Sequence, residues 1–131
     1  MALAQDSMAA QGINMGNPTG PKRAGRYLAS VAEGLTAKAG GGQSGATALT
    51  ADINRVTTVA TAADSVLLPT SDPGAEITVI NAAAANSMNV FPQSGDAINA
   101  LSANAAFAVA AGKTCTFFCT TAGVWHTQLS A

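Results

Sequence analysis

The stretch Ala75–Leu129, AEITVINAAAANSMNVFPQSGDAINALSANAAFAVAAGKTCTFFCTTAGVWHTQL, decides how this chain is read. Ile77 and Val79 bracket Thr78, the pattern of a half-buried strand. The spacing predicts strands over Glu76–Asn81, Met88–Phe91, Ala106–Ala110, Thr114–Thr120 and Val124–Leu129. Between them stand turn-forming breaks at Ala82–Asn86, Gln93-Ser94-Gly95-Asp96, Ala111-Gly112-Lys113 and Ala122-Gly123. Upstream, Ile53–Ala60 and Ser65–Leu68 read as two more strands, with breaks at Ala62-Ala63-Asp64 and Ser71-Asp72-Pro73-Gly74. Seven short strands with a turn roughly every ten residues predict an all-β chain, a small antiparallel β-sandwich or barrel. Ala97–Asn104 is ambiguous, and Ile98 and Leu101 are expected to plug the core from an irregular segment. Val66-Leu67-Leu68-Pro69 and Met88-Asn89-Val90-Phe91-Pro92 echo each other faintly. Proline ends ladder pairing in both, which is reason enough for it, so no repeat is assigned.

The N-terminal third has a different grammar. Residues 1–21 are rich in Ala, Gln, Asn, Gly and Pro, and Asn17-Pro18-Thr19-Gly20-Pro21 cannot lie inside a helix. They read as an extended arm. Over residues 24–39, Leu28, Val31 and Leu35 fall on one helical stripe, which predicts a short helix, either a plain surface element or a docking one. Residues 39–47, AGGGQSGAT, read as a flexible linker. The expected organisation is therefore an N-terminal arm over residues 1–50 and a β head over residues 51–131.

With 131 residues the chain has the size of one small domain with a tail. Its net charge of −1 argues against simple electrostatic binding of nucleic acid. The charge is unevenly spread. Lys22, Arg23, Arg26 and Lys38 face only Asp6 and Glu33 in the first 45 residues, whereas Arg55 and Lys113 face Asp52, Asp64, Asp72, Glu76 and Asp96 in the rest. A basic leader precedes an acidic head. A head this small buries little surface on its own and calls for oligomerisation or docking on a larger body. The N-terminus lacks the layout of a secretory signal, and no apolar run approaches the ~18 residues of a membrane span.

No catalytic, cofactor-binding or metal-binding set emerges. Cys115 and Cys119, the only cysteines, lie four apart with Phe117 between them. On a strand that places them ~13 Å apart, beyond the ~7 Å Cα limit of a disulfide. They are expected as free thiols packed like small apolar side chains. His126, the only histidine, has no local signature of a nucleophile or a metal site around it and reads as a partly exposed strand residue. Trp125 reads as a core or subunit-contact anchor. No GxGxxG or GxxxxGK[ST] phosphate cradle occurs.

Three segments in order, NRVTTVATAADSVLLP, ITVINAAAANSMNVFPQSGDAINAL and AAGKTCTFFCTTAGVWHT, make the part from Asn54 to Leu129 resemble small structural proteins of tailed bacteriophages. That is more than half of the chain, and residues 1–50 take no part in it. The resemblance implies a non-enzymatic virion protein, most like a capsid decoration (cement) or head-fibre protein. Such a protein is expected to be a homo-oligomer, typically a homotrimer. It would sit on the capsid surface over joints between major capsid protein subunits, after assembly in the host cytoplasm, where two free thiols are at home. No cofactor, nucleic acid or membrane partner is implied. A tail, neck or fibre component, including a host-adhesion module, is the alternative within the same virion. A hydrolase relying on His126 and a carbohydrate-binding sandwich are weaker, because no acid–base set converges and Tyr27 and Trp125 make a poor aromatic platform.

Overall fold

The computed structural model describes residues 27–131. They form ten strands: β1 (Val31–Thr36), β2 (Thr47–Ala48), β3 (Ile53–Thr58), β4 (Ser65–Leu67), β5 (Glu76–Asn81), β6 (Met88–Phe91), β7 (Ala97–Ile98), β8 (Phe107–Val109), β9 (Thr114–Thr121) and β10 (Val124–Leu129). No helix occurs among the described residues, and so none is long and apolar enough to cross a membrane.

From β1 to β8 successive strands alternate between two sheets. A six-stranded sheet has the order β1-β3-β5-β9-β10-β7 and a four-stranded sheet the order β2-β4-β6-β8. β1, β3 and β5 run parallel, as do β2, β4 and β6. Val31 stacks on Ile53, and Ile53 on Thr78, so one turn of the coil takes roughly two dozen residues, within the range of solenoid repeats. This is a short β-solenoid. At its far end the polarity reverses: β8 adds antiparallel to β6, β9 adds antiparallel to β5, and β9–β10 form a hairpin.

The core lies between the two sheets. Inward residues alternate with outward ones, most cleanly along β5 and β9. Val56, Val79, Cys115, Phe117 and Trp125 face the core from one sheet, and Val66, Met88, Val90 and Val109 from the other, all fully buried. Phe107 meets Phe117 edge-on across the core, with ring centroids 5.9 Å apart, the geometry the aromatic quadrupole favours.

One corner column makes the coiling possible. Each turn passes from one sheet to the other through a residue in the left-handed region: Gly41 (φ 67°), Ala63 (φ 75°) and Asn86 (φ 79°). The corners are stitched to one another by side chains. Asp64 accepts N–H groups of Thr61 and of Gly40 in the preceding turn, at 3.1 and 3.3 Å. Asn86 Nδ2 donates to the Val59 and Ala60 carbonyls at 2.9 and 3.1 Å. Inside, Asn54 and Asn81 are fully buried, and each amide bonds one backbone carbonyl nearby in the chain, Ala51 or Asn86, and one on another strand, Thr78 or Val109. Such pairing is what lets polar groups sit in a dry interior.

Several expectations are corrected here. The sandwich or barrel of antiparallel hairpins gives way to a solenoid, because most strands end in a corner that crosses to the opposite sheet rather than in a turn that folds back. The helix over 24–39 does not form in its described part, which holds strand β1 (Val31–Thr36) instead; residues 24–26 and the arm over 1–21 lie outside the described residues. A β-bulge explains the misreading. Pairing steps from Ala32 to Leu35 on β1 while β3 advances only from Asn54 to Val56. That bulge at Gly34 turns the two-residue step of a strand into a helix-like step of three. The linker over 39–47 is a tight corner: Gly40, Gly41, Gly42 and Gly45 all have positive φ, and Lys38 and Ser65 exchange backbone hydrogen bonds beside it. The division at residue 50 does not separate two bodies in this stretch, since β1 and β2 pair with β3 and β4, and Ala37 and Leu49 join the core. Ile98 is buried in β7 as a core plug, but Leu101 is exposed.

Candidate functional site

The residues with chemical potential do not converge. Cys115 and Cys119 are free and buried on the inner face of β9, with Phe117 between them. Burial pushes the Cys115 thiol from the ordinary 9.0 up to about 11. Burial also raises Cys119, with Asp72 and Asp96 adding to the effect. A thiol held protonated is a poor nucleophile and a poor metal ligand. Trp125 is fully buried in β10, and its indole Nε1 has no hydrogen-bond partner, so its place rests on packing. His126 points the other way, to solvent, opposite Phe118 of β9. Among the described residues no group of three or more His, Cys, Asp or Glu could hold a metal ion.

A different place stands out: the free edge of β1. Among the described residues it closes one side of the six-stranded sheet and pairs only with β3. The large apolar side chains most open to solvent gather here, Tyr27 at 81%, Leu28 at 52% and Val31 at 61% exposure. Single exposed apolar residues are ordinary, but three within five residues, two just before the strand and one at its start, are a patch.

This segment is held in place rather than trailing. Asp52, just before β3, takes the Ser30 N–H and the Ser30 hydroxyl at 3.1 Å each, and the Tyr27 hydroxyl at 3.4 Å. Ser30 Oγ in turn accepts the Asp52 N–H at 2.9 Å. The Ser30 N–H, then the Ser30 and Tyr27 hydroxyls, hold the Asp52 carboxyl below the usual carboxylate range. Further along, Arg55 Nη1 meets Glu33 Oε1 at 2.7 Å across β1 and β3.

Backbone geometry adds a second property. Ile53 N–H donates to Ser30 O at 3.0 Å, so Ser30 turns its carbonyl inward. Consecutive residues of a strand point their backbone groups to opposite sides. The N–H and C=O of Val31 therefore face outward, and the bulge at Gly34 ends the straight run beyond Ala32. The helical stripe of the sequence placed Leu28 and Val31 on one face of a surface or docking helix; the structure sets them, exposed, just before and at the start of an edge strand. Gly34, between Val31 and Leu35, was the signal that a strand with a bulge, not a helix, follows.

Compared with known proteins, the chain matches no family model, no curated protein and no solved structure.

Proposed function

We propose that the chain is a non-enzymatic structural protein of a tailed-phage virion, a decoration (cement) protein that binds the outside of the assembled head and stabilises it. The observation that supports this reading is where the three phage-like segments fall. They supply Val56, Val66, Val90, Phe117 and Trp125 of the core and the corner residues Ala63, Asp64 and Asn86. The resemblance is thus carried by a rigid, stitched scaffold, and a scaffold is what a cement protein needs. Its partners in this role are the major capsid protein and further copies of itself, as a homotrimer on the capsid surface.

The mechanism is mass action. A protein that binds the assembled shell but not dissociated subunits stabilises the shell by RT ln(1 + [L]/Kd), about 2.7 kcal/mol per site at a free concentration of 100 Kd. The test is co-sedimentation of the purified protein with shells stripped of it, followed by thermal melting of those shells. Saturable binding in a fixed ratio to the major capsid protein, with a higher melting temperature, is expected. Binding of a few copies per particle would instead make it a tail, neck or fibre component, and no binding would end the virion reading.

A further inference from the structure

We infer that residues 39–46 form a strap over the outer face of the four-stranded sheet, latched by Gln43, and that this strap opens on its own, baring Ser65 and Leu67 while the rest of the fold stays shut. The device is a property of this fold and does not depend on the virion reading. Pairing positions define the strap. Lys38 bridges to Ser65, and Thr47 pairs with the next residue of β4, Val66. The chain thus leaves β4 after Lys38 and returns beside the same place, where the Thr47 hydroxyl donates to the Thr36 carbonyl at 2.7 Å. The tip of the excursion is anchored elsewhere. Gln43 Nε2 donates to the Pro92 carbonyl, just past β6, at 2.7 Å and to Asn104 Oδ1 at 3.3 Å. In the sheet β4 lies between β2 and β6, so a tip that reaches Pro92 crosses β4. It crosses on the outer side, because the inner side is the packed core.

β4 bears the mark of that cover. Val66 and Leu68 face the core, both fully buried, so Ser65 and Leu67 point outward. Their partners on β6, Asn89 and Phe91, are half-buried. Ser65 is nevertheless wholly buried, and its hydroxyl has no hydrogen-bond partner among the described residues. A buried hydroxyl without a partner is costly. Lifting the strap lets water reach it, so this cost favours the open state. Few ties oppose it. They are the two bonds of Gln43, the Gly40 N–H on Asp64 Oδ1 at 3.3 Å, and the close seat of Gly41, where an added Cβ would come 2.8 Å from the Ala63 carbonyl oxygen. Gly40, Gly41, Gly42 and Gly45 all have positive φ, and glycines regain more backbone freedom on release than other residues. A segment tied by so few bonds opens at a lower free energy than the sheets beneath it.

The test uses the full chain carrying Ser65→Cys, whose thiol reports opening of the strap. Cys115 and Cys119, on the inner face of β9, report opening of the core in the same molecule. Labelling by a thiol reagent is followed site by site by mass spectrometry, each rate taken relative to that of the same site in the unfolded chain. Trp125 emission and the thermal midpoint confirm an intact fold. The Ser65→Cys site is expected to label at least about tenfold faster than the native cysteines, yet well below its unfolded rate. Adding Gln43→Ala, or Gln43→Glu, which keeps the length and loses the donor, should raise labelling there about tenfold and leave Cys115 and Cys119 unchanged. Leu67→Cys repeats the Gln43 comparison where Ser65→Cys lowers the thermal midpoint. Equal relative rates at the reporter and the native cysteines would overturn the inference, since the strap would then open only with the whole fold. A reporter as reactive as in the unfolded chain would overturn it as well, by showing no closed strap. So would unchanged labelling of the reporter in both Gln43 variants, which would leave the strap without its latch.

Discussion

Asn81 has no exposed surface, yet its amide is fully used: Nδ2 donates to the Asn86 carbonyl at 3.1 Å and to the Val109 carbonyl at 2.9 Å, and Oδ1 accepts the Ala83 N–H at 3.2 Å. It ties the turn after β5 to β8 in the opposite sheet. Asn81→Ala strands these partners and is expected to cost about 2–3 kcal/mol in denaturant unfolding. The buried thiols give a second expectation at this scale. Cys115 is raised to about 11 by burial, and Cys119 is raised as well. In the folded chain both keep protons that the unfolded chain releases near pH 9. Stability is therefore undiminished below that value and falls as pH rises from about 9 toward 11. A pH series of unfolding midpoints should show this alkaline decline, and Cys115→Ala/Cys119→Ala should flatten it. Thiol reagents should label the native protein only as fast as it opens.

At the scale of the element, the Asp52 bracket holds the residues that lead into β1, a strand with no fully buried residue of its own. Asp52→Asn keeps the size of the side chain but loses the charge that draws in Ser30 and Tyr27. Amide exchange over residues 28–32 should then rise severalfold while β5 and β9 stay protected. Acid should do the same to the wild type. Because the folded carboxyl lies below its ordinary value, the bracket holds above the usual carboxylate range and is lost as pH falls through the depressed pKa. Unchanged exchange in Asp52→Asn would mean that the pairing with β3 alone holds the edge. All seven strands expected from alternation and turn residues are present, because period-two burial is a local property that a sequence carries openly. The pairing was less legible. Strands of three to six residues read the same whether a hairpin or a crossover follows them, so parallel and antiparallel neighbours could not be told apart. One trace of coiling was there. Ala62–Ser65, AADS, leads into Val66-Leu67-Leu68-Pro69, and Ala84-Ala85-Asn86-Ser87, AANS, leads into Met88-Asn89-Val90-Phe91-Pro92. In the structure these are successive turns, with Val66 on Val90 and Leu67 on Phe91. Met88 and Asn89 stand between Ser87 and Val90, whereas Val66 follows Ser65 directly, and this shift hides the repeat from a fixed-spacing search. Nor was the edge patch legible as a site, since its exposure is decided by which neighbour β1 lacks.

Taken whole, the molecule is a stack whose two ends are unlike. Stacked coils draw their stability from nearest neighbours. Among the described residues the first turn has a neighbour on one side only, and its share of the core is small: Ala37, Leu49 and part of Leu35. β9, by contrast, is flanked by β5 and β10 and contributes Cys115, Phe117 and Cys119. Native-state hydrogen exchange should therefore find β1 and β2 opening at a lower free energy than β5 and β9, before the global transition reported by the single Trp125. Equal opening energies along the stack would show one indivisible cooperative unit instead.

The late position of β9 in the chain has a consequence for biosynthesis. The ribosome delivers β1 to β5 first, then the three short strands β6, β7 and β8, and only afterwards β9, the strand that lies against β5. Thr78 and Thr116, whose hydroxyls meet at 3.2 Å, are 38 residues apart. Until translation reaches that point, the nascent chain carries a bare strand edge with a growing apolar face behind it. Release before Thr114 leaves that edge permanently open, in the form that invites aggregation. Completion of β9 is thus the step that covers this edge of β5.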